Sequence, residues 1–396
     1  MSFGDAVESM RDELVALRHD LHRDPEIGMQ LPRTQERILR ALDGLPLEIT
    51  TGEKLSSVVA VLRGGRPGPT VLLRGDMDGL PVQELTDLAY ASDVPGAMQA
   101  CGHDMHMTFL VGAARLLSGV REELAGNVIF MFQPGEEGPG GAEPMIAEGL
   151  LEAAGERPVA AYTIHVIAAH DPLGWFSTRR GPFMAACDTL RVTVQGVGGH
   201  GSAPHHAKDP IPAACEMVLA METFVTRNID IWDPVVVTTG SFHSGTADNI
   251  IPASARFETT IRSFSAVSRD RISSGVVQVC NGIAAAHGLT VDVDYEFGYP
   301  VTVNDDAEAE FAAGVATELF GEDRFGWIEN PGAGSEDMSF VLNEIPGCYL
   351  NLGACPPELD PETAPNNHSP YAQYDDSVVP DGALLLAELA FRRLSR

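Results

Sequence analysis

Cysteine, histidine, aspartate and glutamate are the side chains that bind divalent cations, and here they gather in a few short stretches. The densest is Cys101-Gly102-His103-Asp104-Met105-His106. Cys101 and His103 are two apart, so in an extended segment both side chains project to the same side. A thiolate and an imidazole converging in this way suit zinc or another borderline divalent metal. The plainer alternative is a buried free cysteine acting as core filler. A second stretch, Gln133-Pro134-Gly135-Glu136-Glu137-Gly138, follows the apolar run 128–132. Carboxylates directly after a buried strand sit where open α/β sheets place their active sites. Adjacent residues cannot point the same way, so one carboxylate can ligate metal while its neighbour faces substrate as a general base. A solvated acidic turn is the commoner fate of such a pair. His165 closes the apolar run 160–166, and His368 lies in the polar loop 366–371. Taken singly, these are a core histidine and a surface histidine. Asp76 and Asp78, within 74–81, either orient an imidazole or cap a turn. Together the stretches supply one thiolate, several imidazoles and several carboxylates at strand ends, the inventory of a two-metal hydrolytic site.

Positioning these groups requires a layered scaffold. Val7, Met10, Leu14, Leu17 and Leu21 follow helical spacing, which predicts a helix over 5–22 that stops before Pro25. A second helix is expected over 33–43. Strands over 57–63, 70–75, 127–133 and 159–166, with helices over 105–119 and 142–153, give an α/β domain with a largely parallel sheet. After Gly181-Pro182 the rhythm changes to a strand at 190–195, a helix at 210–228, strands at 234–242 and 255–264, a helix at 267–287 and a strand at 290–297. This strand-helix-strand-strand-helix-strand order is ferredoxin-like. Helices over 305–320, 335–344 and 381–394 and a strand over 347–353 resume the first pattern. The fold class is therefore α/β, with a mostly parallel mixed sheet flanked by helices and interrupted by a ferredoxin-like α+β insert. The expected segments are 1–185, 186–297 and 298–396.

Composition narrows the partners. The chain has 396 residues, with 26 Lys and Arg against 56 Asp and Glu, for a formal charge of −30. That balance excludes a general nucleic-acid binder, which needs clustered cations, and argues against docking on anionic lipid. No stretch is apolar for long enough to suggest a membrane span. The N-terminus turns acidic at once, unlike a secretory signal. Six cysteines, scattered and without a C-x-x-C pair, fit a reducing cytoplasm.

At this point a resemblance becomes specific. The segments 21–28, 76–81 (Asp-Met-Asp-Gly-Leu-Pro), 101–104 (Cys-Gly-His-Asp), 133–138, 164–166, 198–205, 249–252, 335–340 and 368–370 run in order along nearly the whole chain. They resemble the M20 metallopeptidase superfamily, and within it the M20D amidohydrolases, the aminoacylase, hippurate hydrolase and auxin-conjugate hydrolase relatives. The resemblance implies a binuclear centre bound by Cys101, His103, Glu137, His165 and His368, with Cys101 in the place of a bridging aspartate. It implies Glu136 as the general base, taking a proton from the attacking water and returning it to the departing amine, and Asp78 as a carboxylate that steadies a ligand histidine. The insert resembles the family's lid or dimerisation domain. There His200 would stabilise the tetrahedral oxyanion, and Asn249 and Arg262 would hold the substrate carboxylate, for which a planar guanidinium is well shaped. Two divalent ions are implied, zinc foremost, with manganese, cobalt or nickel also accommodated. The implied substrate is a small N-acyl amino acid, and the implied assembly a homodimer through the lid. A dipeptidase and a non-catalytic metal binder are the competing functions. The chain departs from the family pattern at Gly79, at Met105 and after His165, where Val166-Ile167-Ala168-Ala169 replaces a Trp-Pro type sequence. His106, His170, His205 and His206 are expected to be structural or to support the site indirectly.

Overall fold

Runs rich in Val, Ile, Leu and Phe pair into an eight-stranded mixed sheet. A computed structural model describes residues 2–396. The strands lie in the order Leu47–Thr51, Val58–Arg63, Ala125–Gln133, Arg66–Asp76, Ala160–Ile167, Gly347–Gly353, Phe176–Thr178 and Phe325–Trp327. The four central strands, from Ala125–Gln133 to Gly347–Gly353, are mutually parallel, so their carboxyl ends share one edge. One face of the sheet carries Val71, Leu73, Val128, Phe130, Ile164 and Leu350. These pack in one buried cluster with Met107, Leu110 and Val111 of the helix His103–Gly119 and with Leu386 and Leu389 of the helix Val379–Leu394.

These elements form one compact unit, Met1–Gly181 with Val303–Glu329 and Phe340–Arg396. The second unit comprises Pro182–Thr302 and Asn330–Ser339. Its elements are Ala186–Gln195, Pro210–Asn228, Val235–Ser244, Ser254–Ser263, Ala266–Ala286 and Thr290–Phe297, the β-α-β-β-α-β order expected. The four strands pair antiparallel in the order Val235–Ser244, Ser254–Ser263, Ala186–Gln195, Thr290–Phe297. Alternation turns Leu190, Val192, Val194, Phe257 and Ile261 toward Met217, Met221, Ile272 and Val276 of the two helices. Asp209 and Ser265 cap those helices by accepting from Ile211 N and Ser268 N.

Several expectations are corrected. The N-terminal helix is two helices, Phe3–Ser9 and Arg11–Arg23, joined by a turn at Met10 (φ −101°, ψ −1°). The helix expected over 142–153 ends at Ala147 and resumes only as a 3-10 turn, Leu150–Glu152, after Gly149 at φ +95°. The helix expected over 335–344 begins at Met338. The strands Leu47–Thr51, Phe176–Thr178 and Phe325–Trp327 were not anticipated; two are three residues long, too short for alternation to register. Asn330–Ser339 belongs with the second unit, although the sequence boundaries put all of 298–396 with the first. Among the described residues no helix is long and apolar enough to cross a membrane.

Candidate metal centre

Five segments that carry the site's side chains meet where the parallel strands end. Arg66–Asp76 delivers Asp76 and then Asp78, Ala125–Gln133 delivers Glu136 and Glu137, and Ala160–Ile167 carries His165 near its end. Gly347–Gly353 leads into the loop that holds His368. Cys101 and His103 come from the amino end of the helix His103–Gly119. Their convergence does not arise from an extended segment, as the spacing suggested. Gly102 adopts φ +85°, turning the chain so that His103 is already the first helical residue. A Cβ at Gly102 would lie 2.4 Å from Val166 Cγ2, so this turn admits no other residue without displacement.

The side chains form overlapping groups. Cys101, His103 and His165 have ligand atoms within 4.8 Å of one another, as do Cys101, Glu137 and His368. His103, Glu136 and Glu137 form a third such group. Cys101 Sγ is 3.4 Å from His165 Nε2 and 3.3 Å from His368 Nε2, and Glu137 Oε1 is 3.2 Å from His368 Nε2. Donors ~2.0–2.3 Å from a tetrahedral ion stand ~3.3–3.8 Å apart, so these separations suit shared ions. Among the described residues, both ring nitrogens of His103 and Glu137 Oε1 are buried without a hydrogen-bond partner. Leaving such groups unmatched is costly. An orphaned imidazole and carboxylate beside a thiol and two further imidazoles are a donor set that divalent cations satisfy.

The orientations of the His165 and His106 rings follow from their partners. His165 Nδ1 donates to Val166 O at 2.8 Å, since a carbonyl only accepts, and this leaves Nε2 bare toward Cys101. His106 is different. Val166 N donates to its Nε2 at 2.9 Å, so Nδ1 carries the proton and gives it to Asp76 Oδ1 at 2.6 Å. With both nitrogens engaged, His106 supports the His165 strand. Arg74 Nη1 in turn donates to Asp76 Oδ2 at 2.5 Å and Arg74 Nε to Gln133 Oε1 at 2.9 Å. Asp78 accepts from the backbone N–H of Glu136 at 2.9 Å and of Glu137 at 3.0 Å, and stands 3.7 Å from His103 Nδ1. Its main structural work is thus to fix the glutamate pair. The supporting role expected for His106 is thus what the structure shows, whereas Asn367 did not stand out in the sequence. Asn367 Nδ2 donates to Val166 O at 3.0 Å and its Oδ1 accepts from Ala168 N at 2.9 Å.

Charge in this pocket is balanced by burial. Burial pushes the Cys101 thiol up to about 12, opposed by His103. A neighbouring cation reverses that penalty, because a coordinating thiol is deprotonated outright. Burial would raise Asp76, but Arg74, His103 and His106 hold it well below the usual carboxylate range. Burial would lower His103, but Asp76 and Cys101 raise it well above the usual histidine value. Burial, with His106 adding to it, keeps His165 well below that value and hence neutral.

In the second unit, His200 belongs to the two-residue strand Gly199–His200, paired with Ile250–Ile251. Its Nδ1 accepts from Ser202 N at 3.1 Å. Gly201 N donates to Asn249 O at 2.8 Å, which brings His200 and Asn249 to one place. Arg262 is elsewhere. It lies near the far end of Ser254–Ser263, where its Nη1 donates to Ser335 Oγ at 3.3 Å. At ~3.3 Å per residue the strand from Ser254 to Arg262 runs about 26 Å, and Ser254 is its end nearer Asn249 in the chain. Asn249 and Arg262 of one chain do not meet around a single carboxylate, which corrects the joint role expected for them.

A thermostable carboxypeptidase of Saccharolobus solfataricus is 36% identical over 394 residues, covering 98% of this chain and 96% of that protein. The hippurate hydrolase of Campylobacter jejuni is 34% identical, with 97% of each covered. A crystal structure from Bacillus subtilis, of a dinuclear metal binding peptidase from the M20 family, superposes with a TM-score of 0.83 at 29% identity, covering 98% of this chain and 99% of that one. The family model for Peptidase family M20/M25/M40 matches residues 72–392. With that match spanning most of its length, the chain belongs to Peptidase family M20/M25/M40.

Proposed function

We propose that this protein is a metal-dependent amidohydrolase that cleaves the amide bond of small N-acyl amino acids, releasing a carboxylic acid and the amino acid. The observation that carries the proposal is the convergence of Cys101, His103, Glu137, His165 and His368, with orphaned donor atoms, beside the carboxylate of Glu136. These five residues would hold two divalent cations, zinc foremost. The chemistry such a pair supplies when bound is Lewis acidity at the scissile carbonyl and at the attacking water. Glu136, whose carboxylate falls within 4.8 Å of ligand atoms of His103 and Glu137, takes the proton from that water and returns it to the departing amine. Asp78 keeps the two glutamates in their division of labour by holding both backbone N–H groups. His200 stabilises the oxyanion, and Asn249 and Arg262, drawn from different copies of the chain, bind the substrate.

Glu136→Gln tests this directly. It should retain both cations yet lose at least about 100-fold in kcat on N-acetyl and N-benzoyl amino acids, because proton transfer disappears. Near wild-type hydrolysis would sink the mechanism. A dipeptidase is the second reading, favoured by similarity to a carboxypeptidase; faster turnover of dipeptides than of N-acyl amino acids would select it. Inactivity on every acyl group would favour a non-catalytic binder. The remaining parts of the proposal are a homodimer through the second unit, for which the strand length of about 26 Å between Ser254 and Arg262 is the argument, and a cytoplasmic location, supported by six free cysteines.

A further inference from the structure

His368 is the least secured of the five donors. The stretch 354–375 contains no helix or strand, and His368 itself takes φ +70°, a left-handed conformation unfavourable for a non-glycine residue. Its side chain is 54% exposed, whereas Glu137, which it meets, is 11% exposed. One backbone bond, His368 N to Ala100 O at 2.8 Å, ties it to the Cys101 turn. Two residues on, Leu85 N donates to Pro370 O at 2.8 Å, which holds the loop to 80–85 but not to the donor segments; the tie to those segments is the preceding side chain. Asn367 Nδ2 donates to Val166 O at 3.0 Å and to Cys101 O at 3.3 Å, with Cys101 Sγ at 3.9 Å, while Oδ1 accepts from Ala168 N at 2.9 Å. The orientation of the carboxamide is unambiguous, because two carbonyls can only accept and one N–H can only donate. A single half-buried side chain therefore links three donor segments: the Cys101 turn, the His165 strand and the His368 loop. His165 already has its own restraints through Val166, whose N–H is held by His106 and whose carbonyl takes the His165 Nδ1 proton.

We propose that Asn367 is a positioning residue that locks the His368 loop onto the Cys101–His165 shelf, so that the Cys101–Glu137–His368 cation position depends on its carboxamide while the Cys101–His103–His165 position does not. The proposal rests on the assignment of these residues as metal ligands. It is tested by counting cations per purified chain and by chelator competition, with cobalt absorption reporting each position. The proteins are the wild type, Asn367→Ala, Asn367→Asp and the reference His368→Ala. Asn367→Asp is the diagnostic variant: it matches the native size and keeps the acceptor facing Ala168 N, but sets an oxygen against two carbonyls. Expected are two cations on the wild type and one tightly held cation on both Asn367 variants, as on His368→Ala. The second cation should bind about 10–100-fold more weakly, as for other residues that orient metal ligands, and metal-free unfolding should stay close to wild type. Wild-type affinity at both positions in Asn367→Asp overturns the proposal, since shape alone would then suffice. So does joint loss of both cations, or unfolding of both variants, which would mark a general structural role. A wild type that binds no cation overturns instead the ligand assignment on which the proposal rests.

Discussion

At the residue scale, the donors could be recognised from the chain, and so could Asp76, Asp78 and His106 among the groups that aim them, but Asn367 could not. Cys101, His103, Glu136, Glu137 and His165 announce themselves by type and by their place after apolar runs. Asn367 holds peptide groups rather than ligands, and holding a peptide leaves no spacing signal. Gly102 shows how a right conclusion can have a wrong cause. The Cys-x-His pair converges because Gly102 takes φ +85°, a geometry that two-residue alternation does not describe. Gly102→Ala should therefore be severe. The added methyl meets Val166 at 2.4 Å and Tyr374 at 3.0 Å, on top of the left-handed strain. A loss of about 1–3 kcal/mol in stability is expected, with weakened uptake of both cations because Cys101 belongs to both groups. Equilibrium unfolding and metal titration check this; wild-type values in both would mean the turn is more tolerant than its contacts indicate.

At the element scale, the helix Arg11–Arg23 braces the helix that carries His103. Arg18 is fully buried and donates to Asp104 Oδ2 at 2.9 Å, to Asp376 Oδ1 at 2.5 Å and to Tyr374 O at 3.1 Å. His22 Nδ1 meets the same Asp104 oxygen at 2.9 Å. Removing one partner from a buried set strands the others, so Arg18→Met should cost about 3–5 kcal/mol. The pH dependence has a definite sign. Burial would raise Asp104, yet Arg18 and His22 hold it well below the usual carboxylate range. Its contribution is then complete above the unfolded value near 4 and is lost as pH falls toward the depressed folded value. His22 is raised despite burial, chiefly by Asp104, so its contribution is complete below the unfolded value near 6.5 and fades as pH rises through the folded one. Wild-type stability should drop steeply below pH 4, and Arg18→Met should flatten that acid limb. Acid unfolding with an unchanged limb would show that this network does not set it. None of this was legible: a buried arginine on an amphipathic helix looks like any other surface cation until its partners, 86 and 358 residues away, are seen.

At the scale of the whole molecule, the change of rhythm near Gly181 revealed an inserted β-α-β-β-α-β unit, because six elements in a known order are a strong pattern. The return of Asn330–Ser339 to that unit left no trace in the sequence, since a short irregular segment has no period. The separation of Arg262 from the His200–Asn249 group carries the homodimer proposal to a test. If each catalytic centre draws its Arg262 from one copy and its His200 from the other, co-expressed His200→Ala and Arg262→Ala chains should regain activity that neither has alone. Random pairing puts one intact centre in half of the dimers, or about a quarter of wild-type turnover. No recovery in a verified mixed dimer would place both residues in one copy.

The place of Gly347–Gly353, inside the sheet yet late in the chain, has a consequence for biosynthesis. Until that strand emerges from the ribosome, Ala160–Ile167 has an unpaired edge where it later belongs, and His368 follows only afterwards. Open edges of this kind invite pairing with other chains. The nascent protein therefore carries an aggregation-prone edge until Gly347–Gly353 is made, and it can complete its cation cage only once His368 has followed.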